Sequence, residues 1–162
     1  KLRDSSANIR ANVDENGAIT DVAGIAVTVT TTSDASQYSS ILTAVGNNGS
    51  VAGAVVDSVS NLANVTLTNA TSVTVELTEN DADLTNNVSL DSEVTTIDLK
   101  GQTAIFNVAD VQGRTVTDST GGGSYIIYDT AANIITAGGV TNNTADSEAA
   151  FKALYGATEI RA

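Results

Sequence analysis

The chain has 162 residues and a formal net charge of −12, and it contains no Cys, His, Pro, Met or Trp. Zero cysteines exclude disulfides and thiolate metal sites, and zero histidines remove the commonest general base and the commonest transition-metal ligand. From Ala11 to Leu99 there are twelve acidic residues and no Lys or Arg; such a surface repels phosphate backbones and anionic lipid, so no nucleic acid is expected as a partner. No 18-residue apolar run exists, so no membrane span is expected. The chain opens on Lys1 and shows no leader, which fits a mature or excised segment of a longer parent.

The first element in chain order is a weak helical turn over Ser5 to Asn12, supported by Ala7, Ile9 and Val13. "IAVTVTTT" (Ile25 to Thr32) then alternates apolar residues with threonine, the pattern of a strand with one buried face. "NVTLTN" (Asn64 to Asn69) and "SVTVELTE" (Ser72 to Glu79) repeat it, followed by "NVSLD", "VTTIDL", "TAIFNV", "RTVTD" and "SYIIYD". The Asn, Asp, Gly and Ser segments between them accept turn geometries. The clearest helix is expected at Ala145 to Tyr155, with Asp146 as N-cap, Lys152 towards its end and Gly156 stopping it.

The apolar material is mainly Ala, Val, Ile and Leu, set among 23 Thr, 15 Ser and 15 Asn. Small, β-branched and amide residues suit closely stacked short strands better than a bulky core. The expected fold class is therefore all-β: a β-solenoid-like stack of short strands with one short helix near the C-terminus, taken as a single repeat unit over residues 1–162. A β-sandwich filament subunit is the alternative architecture.

One phrase is written twice. Asp4-Ser5-Ser6-Ala7-Asn8-Ile9 matches Asp129-Thr130-Ala131-Ala132-Asn133-Ile134, and Ala70-Thr71-Ser72-Val73 matches Ala157-Thr158-Glu159-Ile160. A catalytic motif is rarely duplicated, whereas a structural unit often is. The phrase D-[ST]-[AS]-A-N-I, followed by A-T-x-[IV] and a strand, resembles repeats of giant bacterial adhesins and surface-layer-like proteins, notably of marine and cyanobacterial lineages. That resemblance covers the two ends of the chain. It implies an extracellular or cell-surface, repetitive, β-rich building block without catalysis. Copies of the chain itself are the expected partners, joined head to tail into a filament, sheath or layer, with cell-surface polysaccharide as a further partner. Asp4, Asn8, Tyr128, Asp129 and Asn133, which carry the repeated phrase, are the candidate interface residues.

Other residues offer weaker chemistry. Glu79, Asp81 and Asp83 in "ENDADLTNN" supply oxygens of the kind Ca²⁺ takes, although the spacing is not that of an EF-hand, and a solvated turn is the simpler reading. Asp14-Glu15 and Asp91/Glu93 are further acid pairs; as a glycosidase pair they would need a cleft with aromatic platforms, and aromatics are only 4% of the chain. Gly121 to Gly123 lacks the following Lys-Ser/Thr of a phosphate loop and reads as a turn. Thr28, Thr30 and Thr32 form one outward row, as an exposed strand face commonly does. Five N-glycosylation sequons occur, at Asn48, Asn64, Asn69, Asn87 and Asn142. A glycan- or surface-binding adhesin module and a polysaccharide-acting β-helix enzyme remain the competing functions.

Overall fold

The computed structural model describes residues 1–12, 14, 18–63, 65–81, 83–85, 90–138 and 156–162. Its contacts gather in two compact units, the first comprising Lys1–Val75 with Asp91–Val94 and the second Glu76–Leu90 with Thr95–Ala162.

The first unit begins with β1 (Leu2–Asp4), α1 (Ser6–Ala11), β2 (Ala26–Val29), α2 (Ala35–Val45) and β3 (Ser50–Ala52). It continues through β4 (Ala54–Ser58) and α3 (Val59–Leu62) into β5 (Ser72–Glu76), of which it holds the residues up to Val75. β1, β2 and β3 form a parallel sheet in that order. Leu2 lies against Val27, 25 residues on, and Ala26 against Ser50, 24 residues on. Parallel neighbours require a crossover of a dozen residues or more, usually through a helix, and α1 and α2 occupy these crossovers. The alternation in "AVTV" turns Val27 and Val29 into the core, with Val51 beside them, and leaves Ala26 exposed. Tyr38 anchors this core at 0% exposure, its hydroxyl 2.9 Å from the Val51 carbonyl and 3.0 Å from that of Thr68. Burial, and secondarily the charge of Glu93, pushes this phenol up to about 12. At Gly49 the backbone passes so close that a Cβ would collide with the Ile25 carbonyl oxygen and Val45 Cγ1.

The second unit holds a 3₁₀ turn (Glu79–Asp81), β6 (Thr96–Asp98), β7 (Thr103–Phe106), α4 (Val108–Val111), β8 (Thr115–Thr117), β9 (Ser124–Tyr128), α5 (Ala131–Gly138) and β10 (Glu159–Arg161). β9 lies between β7 and β10, parallel to both, and β6 pairs with β8, also parallel. Ala104, Phe106, Tyr125 and Ile127 point inward and are buried, and the Phe106 and Tyr125 rings meet at 5.6 Å and a tilted 56°.

The expected all-β, solenoid-like class is corrected by these elements. The protein is mixed α/β, with five helices among the described residues and parallel sheets. The sandwich alternative falls with it, because antiparallel pairing is absent from the strand pairs found among the described residues. The physical reason lies in the polar segments between strands. Ser, Asp and Asn followed by small residues are helix N-caps as much as turns. Asp34 accepts the Gln37 N–H at 2.7 Å and opens α2, whose buried residues Ala35, Tyr38, Ile41 and Val45 recur at helical spacing. Gly46, at φ +69°, ends it. The expected strands at 25–32, 72–79, 94–99, 103–108, 114–118 and 124–129 are present in shortened form, and the weak turn at Ser5 to Asn12 forms α1. "NVTLTN" is not a strand: Leu67 is buried there, and the chain turns at Asn69 with φ +66°. The helix expected at Ala145 to Tyr155 and most of "NVSLD" lie outside the described residues.

Candidate functional site

The twice-written phrase is a joint between a strand and the helix that follows it. Asp4 Oδ1 accepts the Ser5 N–H at 2.7 Å and the Asn8 side-chain amide at 2.8 Å, while Ser5 Oγ caps α1 by accepting the Asn8 N–H at 3.2 Å. Asp129 Oδ1 accepts the Thr130 N–H at 2.7 Å and the Asn133 amide at 2.8 Å, and Thr130 Oγ1 accepts the Asn133 N–H at 3.3 Å. A third copy stands at residues 57–61. Asp57 Oδ1 takes the Ser58 N–H and the Asn61 amide, each at 2.8 Å, and Ser58 Oγ takes the Asn61 N–H at 3.4 Å. The underlying pattern is D-[ST]-x-x-N. Sequence reading missed the third copy because "DSVSNL" breaks the A-N-I ending, although the Asp, Ser and Asn spacing was there to be found.

The second carboxylate oxygen reaches a different helix. Asp57 Oδ2 accepts the N–H of Ala35, the first residue of α2, at 3.1 Å, and Asp129 Oδ2 accepts the N–H of Val108, the first residue of α4, at 2.9 Å. Thr31 Oγ1 does the same for Ser6, the first residue of α1, at 3.1 Å. Helix starts leave backbone donors without intrahelical partners, so the Asp57 and Asp129 joints each serve their own helix with one oxygen and the preceding helix with the other. Burial pushes the Asp129 carboxyl up, but bonds from the Val108 N–H, the Asn133 amide and the Thr130 N–H outweigh it and hold the group below its usual range. Among the described residues Asp4 Oδ2 has no such partner.

α4 adds a capping box in which Asn107 accepts the Asp110 N–H and Asp110 Oδ2 accepts the Asn107 N–H, each at 3.0 Å. Asp110 is 3% exposed. Burial pushes its carboxyl up to about 6, the neighbouring Asp129 adds to that, and the Asn107 N–H and the Arg114 guanidinium partly oppose it.

Four of the five expected interface residues hold intramolecular joints, Asp4 with Asn8 and Asp129 with Asn133, and the two asparagines are exposed. Tyr128, the fifth, is exposed too, at 54%. The acids of "ENDADLTNN" do not converge. Asp81 Oδ2 accepts the Thr78 N–H and hydroxyl at 3.0 and 2.7 Å, and Asp83 Oδ1 accepts the Thr85 N–H and hydroxyl at 3.0 and 2.6 Å. Among the described residues no group of three or more acids comes together to hold a metal, and the expected Ca²⁺ ligands Glu79, Asp81 and Asp83 are no exception. The Gly121–Gly123 segment is a turn organised by Asp118, which accepts the Gly123 N–H at 2.6 Å and the Gly101 N–H at 2.8 Å. Asn48 and Asn69 are exposed in turns, while Asn64, Asn87 and Asn142 lie outside the described residues, as does Glu15.

The second repeated phrase also has a common role. Thr71 donates its N–H to the Gly53 carbonyl at 2.8 Å, and Thr158 donates to the Tyr125 carbonyl at 2.8 Å, each fixing the entry to a strand. Among the described residues the strands at two sheet borders, β1 and β10, have one neighbour each. No helix is long and apolar enough to cross a membrane among the described residues. No family model, no curated protein and no solved structure matches the chain.

Proposed function

We propose that the chain is a non-catalytic structural module that assembles with copies of itself into a filament, sheath or layer at the cell surface. The observation that carries this reading is the threefold joint. The polar residues that recur in the sequence are engaged with backbone donors of successive helices, the use expected of a stacking unit rather than of a reacting centre. The unpaired edge of a sheet is a template for a further strand, and β1 and β10 offer two. A module of this kind in a giant adhesin or surface-layer protein agrees with the resemblance carried by the repeated phrase.

The edge of β1 gives a selective test. The Asp4 carbonyl accepts the Thr30 N–H at 2.8 Å, so Asp4 faces β2. Alternation then turns the peptide groups of Arg3 outward, where proline removes a donor without breaking the pairing to β2. The wild-type chain is expected to form regular filaments or lattices by negative-stain electron microscopy, and Arg3→Pro to give dispersed particles with an unchanged circular dichroism spectrum. A wild-type chain that stays monomeric by light scattering at every concentration and ionic strength overturns the proposal.

A further inference from the structure

The outer face of the β7–β9–β10 sheet carries a pocket of about 260 Å³ that takes no part in the joints; it is lined by Asp83, Thr85, Ile105, Ile126, Tyr128 and Arg161. The pleat explains its composition. Because Ala104, Phe106, Tyr125 and Ile127 point into the core, Ile105, Ile126 and Tyr128 point out, with Ile105 level with Ile126 and Tyr128 level with Arg161. Among the described residues Tyr128 is the one large hydrophobic side chain that is exposed, at 54%.

We propose that this pocket binds a single uncharged pyranose ring of a saccharide. The isoleucines and the tyrosine ring supply an apolar wall, and Tyr128, Arg161, Asp83 and Thr85 supply polar groups along its rim. A pyranose has that same division, with C–H faces and a belt of hydroxyls. The rim is held in place before any ligand arrives. Arg161 Nε and Nη2 are gripped by the two oxygens of Glu159 at 2.8 and 2.7 Å, and Asp83 is fixed by Thr85 and by a β-bridge to Ile105. Among the described residues Arg161 Nη1 and the Tyr128 hydroxyl have no protein partner, so two residues that line the pocket keep a donor for a ligand. Charge selects among ligands. Glu159 balances Arg161 and Asp83 adds a negative charge, within a chain of net charge −12. Uronates, sulfated sugars and phosphates are therefore repelled, and a neutral polyol is not. The volume admits one ring, which makes this a subsite for one residue of a longer glycan.

Saturation-transfer NMR observed on the sugar is the test, because it reads binding to monomers and to assemblies alike and so does not depend on the assembly reading. The probes are methyl β-D-glucopyranoside, methyl β-D-galactopyranoside, methyl α-D-mannopyranoside and sodium glucuronate. At least one methyl pyranoside is expected to receive saturation from the wild type, with glucuronate silent. Tyr128→Ala, at an exposed position that leaves the core untouched, is expected to weaken binding about tenfold, the scale of losing a central aromatic contact. Tyr128→Phe keeps the ring and is expected to stay within about threefold, since only one neutral hydrogen bond is lost. The proposal is overturned if no pyranoside is saturated, if glucuronate binds better than the neutral sugars, or if Tyr128→Ala binds as the wild type does.

Discussion

Replacing Asp57 by alanine removes the acceptor of three hydrogen bonds at once. The Ala35 N–H is the costly one, because Ala35 is 1% exposed. A buried donor left without its acceptor costs about 1–3 kcal/mol. The Ser58 N–H is half-buried and adds about 1 kcal/mol, while the exposed Asn61 amide turns to solvent at little cost. The expected loss is about 2–4 kcal/mol in urea unfolding at neutral pH. Asp4→Ala is the internal control. It deletes the equivalent bonds to Ser5 and Asn8 but no bond to a preceding helix, so its cost is expected near 1 kcal/mol, that of a lost helix-start interaction. The difference between the two variants measures the reach from one joint to the next. Equal losses, or an Asp57→Ala loss below about 0.5 kcal/mol, the level of an ordinary surface change, refute the claim that the carboxylate joins two helices.

Tyr38→Phe leaves the Val51 and Thr68 carbonyls to share a lost donor in a fully buried site, and an unfolding free energy lower by about 1–2 kcal/mol is expected from chemical denaturation. Asp110 has a folded-state value raised to about 6, so its protonated form is favoured by folding. The stability it contributes is complete below the unfolded value near 3.9, falls as pH rises through about 6, and amounts at most to about 3 kcal/mol. Asp110→Asn is expected to flatten this fall in a pH series of melting temperatures and to leave the protein more stable than wild type at pH 8; a wild-type profile that rises between pH 4 and 6 while the variant's is unchanged contradicts the assignment. Gly49→Ala drives a Cβ into the Ile25 carbonyl and Val45 and is expected to lower stability by about 1–3 kcal/mol, as overpacking does, read by thermal melting.

Strands with an inward row of valines were legible in the sequence because period-two alternation survives any change of neighbours: Val27 and Val29, and Val73 and Val75, bury the expected face. Of the short helices only α1 was legible, as the turn over Ser5 to Asn12; α3 and α4 have four residues each, too short for a 3.6-residue period to show. Their signal lay in caps. Ser5, Asp34, Ser58 and Asn107 each accept an N–H three residues on, yet Ser, Asp and Asn also open turns, and only the residues after the cap distinguish the two uses. α2 is long enough to read, but its outward serines and threonine mimic a strand-rich texture. The repeated phrase was legible as a repeat, but the hydrogen bonds it makes within the chain were not. A sequence match shows that a unit recurs; whether its polar atoms face a partner or its own backbone depends on which helix the chain returns beside.

The two-handed aspartates also decide alignment. Sliding one parallel strand past its neighbour by one residue swaps its faces and is ruled out by burial. Sliding it by two residues keeps valines inside and threonines outside in a stretch such as "AVTV", so apolar pattern alone does not distinguish the shifted pairing from the true one. A two-residue slip moves the chain by about 6.6 Å, twice the 3.1 Å at which Asp57 reaches the Ala35 N–H and the 2.9 Å at which Asp129 reaches that of Val108. In a protein written with so few kinds of side chain, the Asp57 and Asp129 carboxylates mark where the strands that carry them stop.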